Sequence, residues 1–214
     1  MSWSVSRWQR VGGLEQRFGD RIEALPRAVA TLRQVHGRRI HHLDDASEGS
    51  EGDGLVTDRP ATLVGVWTAD CVPVHLVAPG ARIAAALHCG WRGSASGMIP
   101  AALEFLERRW NVRAREIDAA LGPAIDGCCY EVGDEVRSAF VARAGLRLGS
   151  IGFQARGRRH YLALRSFLAA ELQAFGVAHV ERLGPCTGCR TDLLYSCRKE
   201  GKTGRQLSWI GWRA

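Results

Sequence analysis

Cys71, His88 and Arg92 are residue types that can do chemistry, and the sequence around them predicts that they converge. Two short apolar runs, Val72 to Ala78 and Ile83 to Leu87, flank the turn Pro79-Gly80 in this 214-residue chain. Cys71 enters the first run and His88 leaves the second. If the runs pair as antiparallel strands, the start of one lies beside the end of the other. Cys71 and His88 then become neighbours. Directly after His88 come Gly90, Trp91, Arg92 and Gly93, followed by Ser94, Ser96 and a helical pattern. A glycine-rich turn that opens a helix offers backbone N–H groups, here with Gly93 and the Arg92 guanidinium, to an anion such as phosphate.

His36 completes a candidate metal set with Cys71 and His88. Two imidazoles and a thiolate are borderline-soft donors that suit Zn²⁺, with copper also compatible. Three protein ligands leave a fourth position for water or substrate, as in catalytic sites. The residue types alone equally allow a buried thiol with two ordinary histidines, or a metal-free Cys71–His88 nucleophile and base. Asp70, next to Cys71, reads either as a proton-transfer or supporting residue or as a strand-end cap. His75 lies mid-strand among apolar residues and reads as a satisfied core or pocket histidine. His41 and His42 follow the His36 loop, but an exposed strand end explains them as well. Cys186-x-x-Cys189 is by itself a weak zinc signal, since a four-thiolate site needs a second pair nearby. Cys128 and Cys129, if they run in a strand, point to opposite faces and cannot share one ion. Plain thiols are therefore the favoured reading of those four cysteines, with a structural zinc or a redox pair as the alternatives; Cys197 is left without a role.

The elements that must position these groups follow from pattern. Arg38 to Leu43, Leu55 to Thr57, Thr62 to Trp67, Glu116 to Leu121, Val177 to Leu183 and Leu207 to Trp212 read as strands. Ser94 or Ser96 is expected to cap a helix with Pro100 in its first turn and an apolar face of Ile99, Ala102, Leu103, Leu106 and Trp110. A second helix carries Val132, Val136 and Phe140. A third carries Leu164, Leu168, Leu172 and Phe175 and stops at Gly176. Residues 143–159 read as a basic hairpin or loop. Mixed strands with interspersed helices imply α+β or α/β in one unit, with no linker dividing residues 1–214.

At 46% hydrophobic the chain can bury a full core. Its net charge of +7 invites a nucleic-acid reading, yet all but two of the 29 basic residues are arginines, scattered and interleaved with acids. No nucleic-acid partner is expected. The opening M-S-W-S-V-S-R-W-Q-R lacks an apolar secretory core, and no window approaches the ~20 apolar residues of a bilayer span. The expectation is a cytoplasmic protein with no membrane partner, whose seven cysteines are thiols or ligands rather than staples.

Six blocks then fall in a recognisable order: Q-V-H-G (34–37), D-G-L-V-T-D (53–58), T-A-D-C-V-P-V (68–74), H-C-G-W-R-G (88–93), G-P-A-I-D-G-C-C-Y-E-V-G (122–133) and S-C-R-K-E-G-K-T-G-R (196–205). Over roughly residues 28–212 the chain resembles the YfiH-like family, variously called polyphenol oxidases with a laccase domain, purine nucleoside phosphorylases and peptidoglycan-editing factors. The resemblance implies a single-domain α+β fold, a mixed β-sandwich flanked by helices, with His36, Cys71 and His88 as metal ligands. It places Ser196, Arg198 and Arg205 near the pocket, with Arg198 joining Arg92 and Gly93 toward substrate or phosphate. Three departures stand out. The stretch before Q-V-H-G is short and dissimilar, Ala163-Leu164 replaces an Asp-Leu pair, and Ser196-Cys197-Arg198-Lys199 replaces Ser-Tyr-Arg-Arg.

Among the family's activities, the residues favour a zinc-dependent purine nucleoside enzyme. Four-electron reduction of O₂ calls for several coppers, and only one convincing three-ligand set is visible. One Zn²⁺ with an open position can drive attack of water on a purine C6, and phosphate held by Arg92 can attack ribose C1′. Adenosine deamination and purine nucleoside phosphorolysis are the expected reactions, with Cys71, Asp70 and Arg92 in the catalytic set. A copper-dependent laccase, a peptidoglycan-precursor amidase or cysteine hydrolase using Cys71 and His88, and a non-catalytic binding protein remain the alternatives. Oligomeric state is not encoded in any recognisable pattern.

Overall fold

Strands that are apolar at every position must be covered on both faces, and the runs either side of Pro79 are of that kind. The structure, a computed structural model, describes residues 3–22, 26 and 28–214. Its first strands are β1 (Leu14–Phe18), β2 (Ile40–His42), β3 (Gly54–Thr57), β4 (Thr62–Thr68), β5 (Val72–Ala78) and β6 (Ile83–Cys89). Helices α1 (Trp91–Ala95) and α2 (Met98–Trp110) follow, then β7 (Asp118–Leu121) and β8 (Glu131–Val132). Next come α3 (Asp134–Gly149), β9 (Phe153–Arg156), β10 (Arg159–Leu162) and α4 (Leu164–Ala174). The chain finishes with β11 (His179–Arg182), α5 (Cys197–Glu200) and β12 (Gln206–Trp212).

The main sheet is mixed, with six strands in the order β11-β7-β5-β6-β3-β2. β5 pairs antiparallel with both β6 and β7, whereas β11 and β7, and β2 and β3, run parallel. β1, β12 and β4 form an antiparallel second sheet, and β8, β10 and β9 a small third one. Successive side chains of β6 go to different layers. Ile83, Ala85, Leu87 and Cys89 pack with the helices, while Ala84 and Ala86 face Phe18, Trp8 and Trp212 on the other side. Small residues there make room for large rings, which is how two sheets reach interior packing density. β5 obeys the same alternation: Val72, Val74, Leu76 and Ala78 meet the helix layer, and Val77 meets the second sheet. The result is the mixed α+β sandwich flanked by helices that the family resemblance implies.

Several local expectations need correction. Met98, Ile99, Ala102, Leu103 and Leu106 are buried along α2 and Pro100 lies in its first turn, but neither Ser94 nor Ser96 caps it. Gly97, at φ 95°, takes the cap position, and the Ser96 hydroxyl donates instead to the Gly93 carbonyl at 3.0 Å. Residues 143–149 belong to α3, kinked where Gly145 adopts φ 74° and ψ 164°. Its arginines and its exposed Leu146 hid that last turn, because only Val136, Phe140 and Gly149 are buried there. Gly176, at φ 84°, ends α4 as expected, but Phe175 stays 48% exposed. His42 is buried rather than a solvated strand end, with Nε2 3.1 Å from Asp58. Among the described residues, no helix is long and apolar enough to cross a membrane.

Candidate metal centre

β5 and β6 pair in a register that sets Val72 opposite Cys89 and Pro73 opposite His88. Their connection is a 3₁₀ turn, Pro79–Ala81, closed by Arg82 in the left-handed region. Cys71, just ahead of β5, is thereby delivered to the end of β6, as the sequence predicts. His36 arrives from a separate loop. One ligating atom each from His36, Cys71 and His88 lies within 4.8 Å of the others, and the two imidazoles stand edge to face with centroids 4.7 Å apart.

The backbone of His36 sits at φ 59°, which costs a non-glycine residue about 1–2 kcal/mol. Asp53 offsets that cost. Its buried carboxylate accepts N–H bonds from Val35 (3.3 Å), His36 (2.9 Å) and Gly37 (2.7 Å). The same Oδ1 lies 2.7 Å from His88 Nδ1, and the Asp53 carbonyl accepts the His88 N–H at 2.7 Å. A carboxylate on one ring nitrogen fixes the tautomer and leaves the other for a metal. One aspartate at the start of β3 therefore orients two of the three candidate ligands. Its position in D-G-L-V-T-D was visible in the sequence, but its role was not.

The charges suit a metal as well. Burial pushes the Cys71 thiol up, but hydrogen bonds and charge from His36 and His88 outweigh it and bring the pKa down to about 7. Burial pulls His88 down, yet its bonds to Asp53 and Cys71 raise it to about 9. For Asp53, desolvation is outweighed by His88 and the Gly37 and Val35 amides, and its pKa is lowered. Without an ion the pair tends to thiolate and imidazolium, the charge state that also describes a cysteine nucleophile beside its base. Two nitrogens and a sulfur this close, with a carboxylate behind one ring, fit a metal ion.

Glycines let the loops close. A Cβ on Gly90 would lie 3.0 Å from His36 Cδ2 and 3.2 Å from Cys71 Sγ. Gly93 is buried, and a Cβ there would stand 2.3 Å from the Gly37 carbonyl oxygen. It brings the His36 loop against α1 and does not line the cavity.

Asp70 anchors the opposite wall. Oδ1 accepts the hydroxyls of Thr187 (2.6 Å) and Ser196 (2.7 Å), and Oδ2 accepts the Arg198 amide (2.7 Å). The Asp70 carbonyl accepts the Ile125 N–H at 3.0 Å. Asp70 itself adopts φ 86°. It thus gathers the 122–133 loop and the tail beside Cys71, a role no local pattern announced.

A cavity of about 740 Å³ lies over the three candidate ligands. Asp70, Arg92, Arg198, Arg205, Trp67 and Tyr130 share its lining. Arg92 is exposed and stacks on Trp91 at 4.6 Å. Arg198 lies 5.1 Å over the Tyr130 ring and donates to the Glu131 carbonyl at 2.7 Å. Gln34, from Q-V-H-G, exchanges two 2.8 Å hydrogen bonds with the backbone of Trp67 and so joins the His36 loop to β4. Gln34, Asp53, Tyr130 and Thr187 are the site residues that sequence reasoning left without a role. His75 is outside the cavity. It is wholly buried, stacks on Phe18 and has no hydrogen-bond partner among the described residues, so the expected satisfied histidine is in fact an unsatisfied one.

Known proteins share both the sequence and this architecture. A purine nucleoside phosphorylase of Clostridium acetobutylicum is 33% identical over 184 residues, covering 85% of this chain and 76% of that protein. An adenosine deaminase from an unknown prokaryotic organism is 37% identical over 193 residues, covering 83% and 72%. The crystal structure of YlmD from Geobacillus stearothermophilus superposes with a TM-score of 0.82 at 32% identity, covering 87% of this chain and 74% of that one. The family match runs over residues 7–213 and so takes in the N-terminal stretch that the six motifs left out. The chain belongs to the family described as multi-copper polyphenol oxidoreductase laccase.

Proposed function

We propose that this protein is a metal-dependent purine nucleoside enzyme that deaminates adenosine and cleaves purine nucleosides with phosphate. The observation that carries the reading is the His36–Cys71–His88 cluster opening onto one cavity that also presents arginines and aromatic rings. About 740 Å³ lies within the usual range for small-ligand sites. Relatives named purine nucleoside phosphorylase and adenosine deaminase support it.

His36, Cys71 and His88 would be the ligands, and Zn²⁺ the ion their donor set suits best. When bound, Zn²⁺ supplies a Lewis acid and a water of lowered pKa for attack on purine C6. Everything else falls to the chain. Asp53 keeps the His88 ring in one orientation. Arg92, Arg198 and Arg205 give the cavity guanidiniums whose planar forks match phosphate oxygens, so the anion can be held for attack on ribose C1′. Trp67 and Tyr130 offer flat faces to a base. Asp70, engaged by three donors, is a positioning residue rather than a free base. Deamination consumes water and yields inosine and ammonia; phosphorolysis consumes phosphate and yields the free base and ribose 1-phosphate. A reducing compartment suits both, because Cys71 persists there as a thiol.

A second reading, a copper polyphenol oxidase, draws on the family's description. One product analysis separates the two. Metal-quantified protein is given adenosine with and without phosphate, or a phenol with O₂. Inosine without phosphate, free base with it, and joint loss of metal and turnover in Cys71→Ser are expected. Neither product from metal-replete protein, or full turnover after metal removal, would overturn the proposal. Phenol oxidation with O₂ uptake, confined to copper-loaded protein, would favour the second reading.

A further inference from the structure

Cys128 and Cys129 lie some sixty residues from Cys186 and Cys189, yet the four sulfurs sit within 4.8 Å of one another. Cys128 Sγ is 3.4 Å and Cys129 Sγ 3.5 Å from Cys189 Sγ. Four sulfurs around Zn²⁺ at bond lengths of ~2.3 Å form a tetrahedron with edges of about 3.8 Å. The two shortest spacings fall a few tenths of an ångström below that edge, and all four sulfurs lie within reach of one ion.

The strand alternation that kept Cys128 and Cys129 apart does not apply, because residues 127–129 form a turn. The Cys129 and Tyr130 amides both donate to the Asp126 carbonyl, at 2.8 and 2.9 Å. Both thiols therefore reach the same neighbour. Cys186 to Cys189 makes a second turn, in which the Cys189 and Arg190 amides donate to the Cys186 carbonyl at 3.1 Å. The two turns are joined by the Thr187 N–H to the Ala124 carbonyl at 3.1 Å, and the Asp126 N–H points at Cys186 Sγ at 3.3 Å. Outer hydrogen bonds of this kind orient metal ligands. At Gly188 a Cβ would come within 3.0 Å of Cys129 Cβ and 3.2 Å of its sulfur, so glycine permits one turn to close over the other.

We propose that Cys128, Cys129, Cys186 and Cys189 form a closed, structural Zn²⁺ site, separate from the His36–Cys71–His88 centre. Four thiolates leave no open position, which suits a fold-holding ion rather than a catalytic one. What it holds is clear from its neighbours. Tyr130 lines the cavity one residue after Cys129, and Thr187, between the paired cysteines, donates to Asp70. The ion would staple the 122–133 loop to the 184–190 loop and so stiffen one wall of the cavity.

Two measurements on the full chain test the site independently of any nucleoside activity. In the first, His36→Ala/Cys71→Ser/His88→Ala protein is titrated with Co²⁺. One Co²⁺ per chain with the strong sulfur-to-metal charge transfer and visible bands of a tetrahedral four-thiolate ion is expected, and adding Cys189→Ser abolishes that spectrum. In the second, Cys186→Ser/Cys189→Ser in the otherwise native chain holds one zinc fewer than wild type and keeps the remainder. Failure of the triple variant to bind Co²⁺, an unchanged zinc count in the double variant, or a disulfide among these cysteines in protein prepared under reducing conditions would overturn the site. The first measurement decides the matter if the double variant does not fold.

Discussion

His75 makes the acid limb of this protein's stability predictable. The ring lies between sheets, stacked on Phe18 at 4.3 Å, and burial pushes its pKa down to about 3. An unfolded chain protonates the same ring near pH 6.5. As pH falls, the unfolded state takes up a proton that the folded state refuses, so stability present above pH 6.5 is lost as pH approaches 3. At pH 5 the loss amounts to about 2 kcal/mol, and by pH 3 to about 4 kcal/mol, at about 1.36 kcal/mol per unit. His75→Leu keeps an apolar side chain on the strand and removes the titration. Urea unfolding of both proteins at pH 8 and pH 5 isolates the effect from every other group that titrates. The gap in unfolding free energy between variant and wild type should move by about 2 kcal/mol in the variant's favour between the two pH values. Parallel pH profiles would show that the ring is solvated or partnered, and the argument would fail.

Asp53→Asn should weaken metal binding about 10–100-fold, the usual effect of losing the group behind a ligating histidine; competition with a chromophoric chelator reads it, and undiminished affinity would count against the centre. Gly90→Ala puts a methyl 3.0 Å from the His36 ring and 3.2 Å from Cys71 Sγ. It should lower metal content while the melting temperature stays near wild type, and equal losses of both would point to a folding defect instead. Gly93→Ala meets the Gly37 carbonyl and should cost about 1–3 kcal/mol in urea unfolding, with a wild-type midpoint refuting the close approach. Arg198→Ala should lower kcat/KM for phosphorolysis roughly tenfold, the scale of one charge-assisted bond, and leave deamination near wild type; equal loss of both reactions would reassign Arg198 to the structure of the wall.

The hairpin was legible because periodicity and turn chemistry are local. An apolar run, Pro79-Gly80 and a second run predict that Cys71 meets His88, and the register does bring them together. His36 was legible from donor chemistry and from Q-V-H-G but not from spacing, since nothing in spacing says that a loop ahead of β2 folds back over β6. Asp53 and Asp70 escaped for the same reason. Each acts through bonds to partners 16–128 residues away, and a single carboxylate looks alike whether it caps a strand or gathers three loops. Cys128 and Cys129 were set on opposite faces because strand alternation was assumed where the chain turns. The missing side chain of Gly93 serves a contact with Gly37 that no local pattern announced. Helix ends were the least legible part, as the cap at Gly97 and the kink at Gly145 show.

Asp70 and Cys71 are adjacent residues with different duties: one tethers the tail, the other faces His36 and His88. Floor and lid of the chamber are thus separated by a single peptide link. An occupant that pushed the tail outward would pull on the residue next to the sulfur, so a bulky guest would be felt at the His36–Cys71–His88 cluster itself. Transplanting a foreign tail to change what the chamber accepts would therefore disturb the centre, unless Thr187, Ser196 and the Arg198 amide kept their grip on the aspartate.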